Sequence, residues 1–157
     1  MVHDVAPATA VRAPTSLSIA SRLKTDPAFQ AFWLLRIGFT IAPIAFGADK
    51  FFHVLTNWDL YFAPRLDRIV PGTAHQAMYA VGVVEIVAGL AVLLAPRFGG
   101  YLVAAWLLGI IVNLLLIPGF YDVALRDFGL LLAALTLARL ATAFPAEATP
   151  TAVRRLP

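Results

Sequence analysis

The chain has 157 residues, of which 61% are hydrophobic and only 13% are charged, whereas a soluble domain is about 45–50% apolar and about 25% charged. This composition indicates a membrane protein with room for about four spans and for no separate soluble catalytic domain. The net charge of +3 comes from scattered basic residues, which argues against nucleic-acid binding, and the absence of cysteine excludes thiol chemistry and disulfide bonds.

The N-terminal part predicts a tail followed by a first span. Residues 1–25 are rich in Ala, Pro, Ser and Thr without a helical period, which predicts a disordered cytoplasmic tail. The first span is predicted at about 28–47 and contains Arg36. Arg36 lies close enough to the end of the span for its side chain to reach the lipid head groups, and this interpretation is favoured over an internal role.

The only long connection, 49–74, interleaves aromatic and charged residues. This pattern suits a membrane surface and predicts a short interfacial helix between spans 1 and 2. A surface anchor is favoured over a cover for a cavity between the spans. His53 and His75 are interpreted as interfacial residues, and no metal site is predicted because no histidine or carboxylate partner accompanies them at helical spacing.

The second span, 78–94, carries the carboxylate of Glu85 near its centre. An unpaired charge at that depth costs at least ~2.5 kcal/mol, so the side chain is expected to face the protein interior. Helical spacing places small residues on the same face, where they allow close contact with other helices. This predicted interior face comprises Met78, Gly82, Glu85, Ala88, Gly89 and Val92.

The remaining spans are predicted at about 101–117, with the single polar residue Asn113, and at about 121–140, with Arg126 and Asp127 in its first two turns. Residues 26–140 therefore form the predicted membrane domain, and 141–157 form a second disordered cytoplasmic tail. The predicted fold class is an all-α four-transmembrane-helix bundle with the short interfacial helix described above.

The orientation is predicted from lysine and arginine counts in the flanks of the spans. Seven of these residues lie on the side of the termini and four on the other side, with Arg36 left out as intramembrane. Positive flanks favour the cytoplasm, so the prediction is a multi-pass protein of the cell membrane with both termini cytoplasmic.

In this topology several polar groups share one depth on the outward side. Such groups are functional candidates because each must be paired or hydrated to be tolerated in a membrane. Glu85 is expected to pair with Arg126. The alternative is that an ion-pair network only holds the helices together. The predicted ligand-binding residues are Glu85, Asn113, Arg126 and Asp127, with Lys50 near the mouth.

Three stretches carry a family resemblance: 47–51 (GADKF) after a first span with an arginine, 85–90 (EIVAGL), and 126–131 (RDFGLL). In this order and spacing, over about residues 30–140, they resemble the DoxX-like family of small four-span membrane proteins. The resemblance implies the same four-span fold. It also implies a membrane subunit of a quinone-linked oxidoreductase such as thiosulfate:quinone oxidoreductase, or a partner in oxidative-stress defence.

The resulting hypothesis is an accessory subunit of a membrane redox system that binds a quinone or similar lipophilic molecule in an outward-facing polar pocket. No catalytic, haem or flavin motif is visible, so its own enzymatic activity stays open. The alternatives are a small transporter, or a structural membrane anchor for soluble partners. The lipid bilayer is the expected environment, and both a soluble oxidoreductase partner and a homo-oligomer are compatible with the sequence.

Overall fold

The computed structural model describes residues 19–145, which fold into helices joined by short connections. The order is α1 (Ile19–Thr25), α2 (Pro27–Phe52), a 3-10 helix (Trp58–Tyr61), α3 (Pro64–Asp67), α4 (Ala74–Leu94), α5 (Pro96–Leu115) and α6 (Tyr121–Ala143). The predicted all-α class is confirmed.

The start of the folded part lies earlier than predicted. Part of the expected disordered tail forms α1, and Asp26 then caps α2 by accepting hydrogen bonds from the backbone of Ala28 and Phe29. The Arg22 guanidinium lies 4.1 Å from the centroid of the Phe29 ring and holds α1 against α2. The predictions for 1–18 and 146–157 lie outside the described residues.

Three helices are long and apolar enough to cross a membrane: α2, α4 and α5. This is characteristic of an integral membrane protein and agrees with the composition. The helix α6 does not belong to this group, because every stretch of 18 residues along it contains at least three charged side chains. The fourth span stays a prediction.

The four long helices pack in two antiparallel pairs, α2 with α4 and α5 with α6, and the pairs meet where α4 contacts α5 and α2 contacts α6. The predicted interior face of α4 is confirmed residue for residue. An apolar core fills the end of the bundle near the described termini, which we call the core end; it includes Phe29, Phe32, Leu137, Ala141 and Phe144.

The outer faces of the helices expose large apolar side chains, among them Ile41, Val83 and Val112, each more than half exposed. A soluble protein rarely exposes so many apolar groups together, and a lipid environment would cover them.

The end opposite the core end carries the long connection, 53–73. It contains two short helical turns, where the sequence predicts one interfacial helix. Asn57 caps the first turn, and Thr73 forms a capping box with Gln76 at the start of α4. We call the end that carries this connection the cavity end of the bundle.

Candidate functional site

The site begins where α2 crosses α4. A Cβ atom on Gly82 would lie 2.7 Å from the carbonyl oxygen of Gly47, and one on Gly47 would lie 2.5 Å from that of Gly82. Only glycine at both positions permits this approach. Lys50 and Glu85 each follow their glycine by three residues, and helical side chains lean toward the N-terminus of their own helix. Because α2 and α4 are antiparallel, the two side chains converge.

Lys50 and Glu85 form a buried ion pair, with Nζ of Lys50 donating a hydrogen bond of 2.6 Å to Oε2 of Glu85. Their side chains are 3% and 11% exposed. Nζ of Lys50 also lies 3.8 Å from the centroid of the Trp58 ring, which adds a cation–π contact. The ammonium is thus held between a carboxylate and an aromatic face.

The predicted pair of Glu85 with Arg126 is wrong. The Arg126 side chain is 69% exposed, and its Nε lies 3.9 Å from Oδ1 of Asp127. Glu85 lies in the middle of α4, whereas Arg126 lies only one turn from the start of α6 and keeps most of its side chain exposed. Lys50, which the sequence places only near the mouth, occupies the position beside Glu85.

Asp49 folds the start of the connection over this pair. Its carboxylate accepts hydrogen bonds from the backbone N–H groups of Val54 and Leu55 and, at 2.7 Å, from the indole Nε1 of Trp58. These bonds fix the Trp58 ring above Lys50. Asp49 was not among the predicted site residues; the signal for it in the sequence is a carboxylate in the last turn of a helix, followed by a Trp-containing loop.

Asn113 fixes the next part of the connection. Its Nδ2 donates a 2.6 Å hydrogen bond to the carbonyl of Tyr61, and its Oδ1 accepts one of 2.9 Å from the backbone N–H of Ala63. Both ends of the amide are therefore engaged with backbone. The Tyr61 ring in turn packs edge-on against Phe120, with centroids 4.9 Å apart.

A cavity of about 890 Å³ lies beside these groups and is lined by all four long helices and the connection. Most of its wall is apolar, and Phe39, Val103 and Leu107 belong both to this wall and to the core. Leu34, Gly38 and Gly109 also line it and are exposed, so the cavity reaches the outer surface of the bundle. The size and the lining are those of a small-molecule site.

The five residues predicted as ligand-binding all line this cavity: Lys50, Glu85, Asn113, Arg126 and Asp127. They do not form one continuous network: the ion pair, the Asn113 amide and the Arg126–Asp127 contact are three separate groups. Asp127 is buried, at 8% exposure. The connection, favoured above as a surface anchor, contributes to the wall through Trp58, Tyr61 and Leu66.

Trp106 adds a polar group that the sequence analysis did not assign. Its Nε1 is buried and lies close to the Glu85 carboxylate, but it forms no hydrogen bond of good geometry among the described residues. A buried N–H without an acceptor costs about 1–3 kcal/mol, so such groups mark places where a ligand or water can be bound. This indole lines the same cavity as Glu85 and Asp127.

Arg36 lies at the core end, away from this cavity. Its Nη2 donates a 2.7 Å hydrogen bond to the carbonyl of Leu93 near the C-terminus of α4, and its guanidinium lies 5.0 Å from the centroid of a Trp33 ring. The last carbonyls of a helix lack intrahelical donors and attract cations. Arg36 therefore joins α2 to the end of α4.

No family model, no curated protein and no solved structure matches this chain. The comparisons neither support nor contradict the resemblance to the DoxX-like family.

Proposed function

We propose that the protein is a four-span membrane protein that binds a quinone, or a similar lipophilic molecule with a hydrogen-bonding head, as an accessory subunit of a membrane redox system. The observation that carries the proposal is the cavity itself: an apolar chamber that reaches the outer surface of the helices and holds a buried Lys50–Glu85 pair at its polar end.

The membrane arrangement within this proposal makes α6 the fourth span, with both termini cytoplasmic. Leu125, Phe128 and Leu132 are exposed apolar residues on α6 and would face lipid. Arg126 lies one turn from the start of α6 and can extend its side chain to the membrane surface. The larger number of basic residues on the side of the termini supports the orientation.

Each polar group has a proposed role. Nζ of Lys50 and Nε1 of Trp106 are donors suited to the two carbonyl oxygens of a quinone, and Glu85 and Asp127 are acceptors suited to the hydroxyls of the reduced form. Asn113 positions the wall of the cavity through the backbone of the connection, rather than contacting the head group directly.

The lateral opening favours a membrane-soluble ligand over a transported solute. A ligand dissolved in lipid can enter between helices, past exposed residues such as Leu34 and Gly109. A transporter needs a polar path to both faces, and here the aromatic core of Phe29, Phe32 and Phe144 fills the core end.

A structural anchor is the second candidate, favoured by one observation. Lys50 and Glu85 already form hydrogen bonds to each other, and the Asn113 amide forms them to backbone groups, so none of these side chains requires a ligand. In that case the cavity would hold only lipid tails, and no head group would be recognised.

A cavity-filling variant separates the two candidates. Nothing lies within 4 Å of a Cβ atom on Gly109, which lines the cavity, or on Gly129, which does not. Gly109→Phe therefore adds a ring at the cavity wall from a Cβ position that meets no other atom, and Gly129→Phe is its matched control. Binding of a short-chain quinone in detergent is followed by quenching of tryptophan fluorescence, since Trp58 and Trp106 line the cavity.

Saturable quenching by the wild type and by Gly129→Phe, with at least tenfold weaker binding by Gly109→Phe, is the expected result. Equal, unsaturable quenching of all three proteins would contradict the proposal and favour the structural anchor.

A further inference from the structure

Two histidines and an aspartate lie close together at the cavity end of the bundle, next to the cavity but not in its wall. His53 follows the last residue of α2, Asp59 lies in the 3-10 helix, and His75 lies in the first turn of α4. One ligand atom from each of the three lies within 4.8 Å of the other two. We propose that these residues bind a divalent transition-metal cation such as Zn²⁺.

The spacing of the ligand atoms fits such an ion. Nδ1 of His75 and Oδ2 of Asp59 are 3.2 Å apart. Two ligands at about 2.0–2.1 Å from a tetrahedral zinc are separated by about 3.3 Å, so this pair already has the required distance. His53 and His75 stack in parallel with ring centroids 5.2 Å apart, and a rotation of the His53 side chain would complete the set.

Asp59 supplies an independent indication. Its Oδ1 is buried and has no hydrogen-bond partner among the described residues, although Oδ2 contacts His75. A buried carboxylate oxygen without a donor costs free energy, and a cation bound by both oxygens of the Asp59 carboxylate would remove that cost. A divalent cation would also stabilise the negative charge of the carboxylate more than a further neutral hydrogen-bond donor would.

Tyr79 provides the outer contact that metal-binding histidines normally have. Nε2 of His75 lies 2.9 Å from the Tyr79 hydroxyl. With the cation on Nδ1, the ring proton moves to Nε2 and is donated to the Tyr79 oxygen, which fixes the tautomer and the ring orientation. The Tyr79 ring is itself stacked on Phe51, with centroids 5.0 Å apart.

Two imidazoles and one carboxylate define the class of ion. Imidazole suits zinc, copper and nickel, whereas magnesium and calcium prefer oxygen ligands alone. The site would join the end of α2, the connection and the start of α4. The sequence predicts no metal site, because its three ligands are separated along the chain and only the fold brings them together.

The test is isothermal titration of the purified full chain in detergent with ZnCl₂, after removal of any histidine tag. The variants are His53→Ala, His75→Ala and Asp59→Asn. His3→Ala is the matched control, since His3 is the remaining histidine of the chain. A parallel titration with MgCl₂ checks the selectivity for transition metals.

The expected result is one Zn²⁺ per chain at micromolar concentration, at least tenfold weaker binding by each of the three site variants, unchanged binding by His3→Ala, and no uptake of Mg²⁺. The inference is overturned if the wild type takes up no Zn²⁺, if His53→Ala binds it as tightly as the wild type, or if Mg²⁺ competes equally. The thermal unfolding of each variant is recorded alone; should His75→Ala unfold because it loses the Tyr79 contact, His53→Ala and Asp59→Asn decide the question.

Discussion

The buried pair of Lys50 and Glu85 can be tested by removing its members singly and together. Lys50→Met and Glu85→Gln each leave the other group without its partner in a site where the side chains are 3% and 11% exposed. Breaking a buried ion pair in this way costs about 3–5 kcal/mol. The double variant leaves no uncompensated charge, so its loss of stability should be smaller than the sum of the two single losses, with a coupling of about 0.5–3 kcal/mol.

The assay is thermal unfolding in detergent, with the free energy of unfolding compared across the cycle. The chain offers a matched control, because Lys24 is its only other lysine and is exposed. Lys24→Met should change stability by less than about 0.5 kcal/mol, as substitutions away from buried networks do. A second cycle that pairs Glu85→Gln with Arg126→Gln should be additive, since Arg126 is 69% exposed. Strict additivity of the Lys50–Glu85 cycle would refute the reasoning.

Three further predictions concern the helix crossing, the connection and the orientation in the membrane. Gly82→Ala should destabilise the protein by about 1–3 kcal/mol, because its Cβ would lie 2.7 Å from the carbonyl oxygen of Gly47. Gly38→Ala is the control: its Cβ would have nothing within 4 Å, so thermal stability should stay unchanged or rise. Equal effects of the two substitutions would contradict the close crossing of α2 and α4. Asn113→Leu should lower the free energy of unfolding by about 1–3 kcal/mol for each backbone group of the connection that loses its partner. It should also speed tryptic cleavage at Arg65 and Arg68, whereas Val112→Leu on the outer face of α5 should not. Unchanged cleavage of the Asn113→Leu protein would count against the role of Asn113. Single cysteines in place of Ala10, Asn57 and Ala152 should be labelled from outside intact cells at position 57 alone, and labelling at 10 or 152 would reverse the proposed orientation.

The interior face of α4 could be predicted from the sequence, because small residues and one carboxylate recur there at helical spacing. The partner of Glu85 could not. Topology gives the approximate depth of a residue in the membrane but not its rotation about the helix axis, so it does not decide between Arg126 and Lys50 as the partner of Glu85. The equal spacing of Gly47 to Lys50 and of Gly82 to Glu85 was the signal that could have chosen Lys50.

The connection was the least predictable part. It has no periodicity, and its shape depends on single side-chain hydrogen bonds, such as the one that Trp58 donates to Asp49 and those between Asn113 and the backbone of Tyr61 and Ala63. For the same reason the sequence predicts Glu85, Asn113, Arg126 and Asp127 at one depth with Lys50 near the mouth, while only the fold divides these residues into an ion pair, a backbone contact and a separate acidic group.

The central claim is that the cavity holds the head of a lipophilic molecule, and photo-crosslinking in native membranes tests it most directly. A photoactivatable quinone analogue is irradiated with the membranes, and the labelled peptides are identified by mass spectrometry, with and without excess unmodified quinone. We expect labelling of the cavity wall, at residues such as Phe46, Trp58 and Trp106, and we expect the competitor to abolish it. Labelling spread over the outer faces, at residues such as Val83, Leu125 and Leu132, and insensitive to competitor would contradict the central claim.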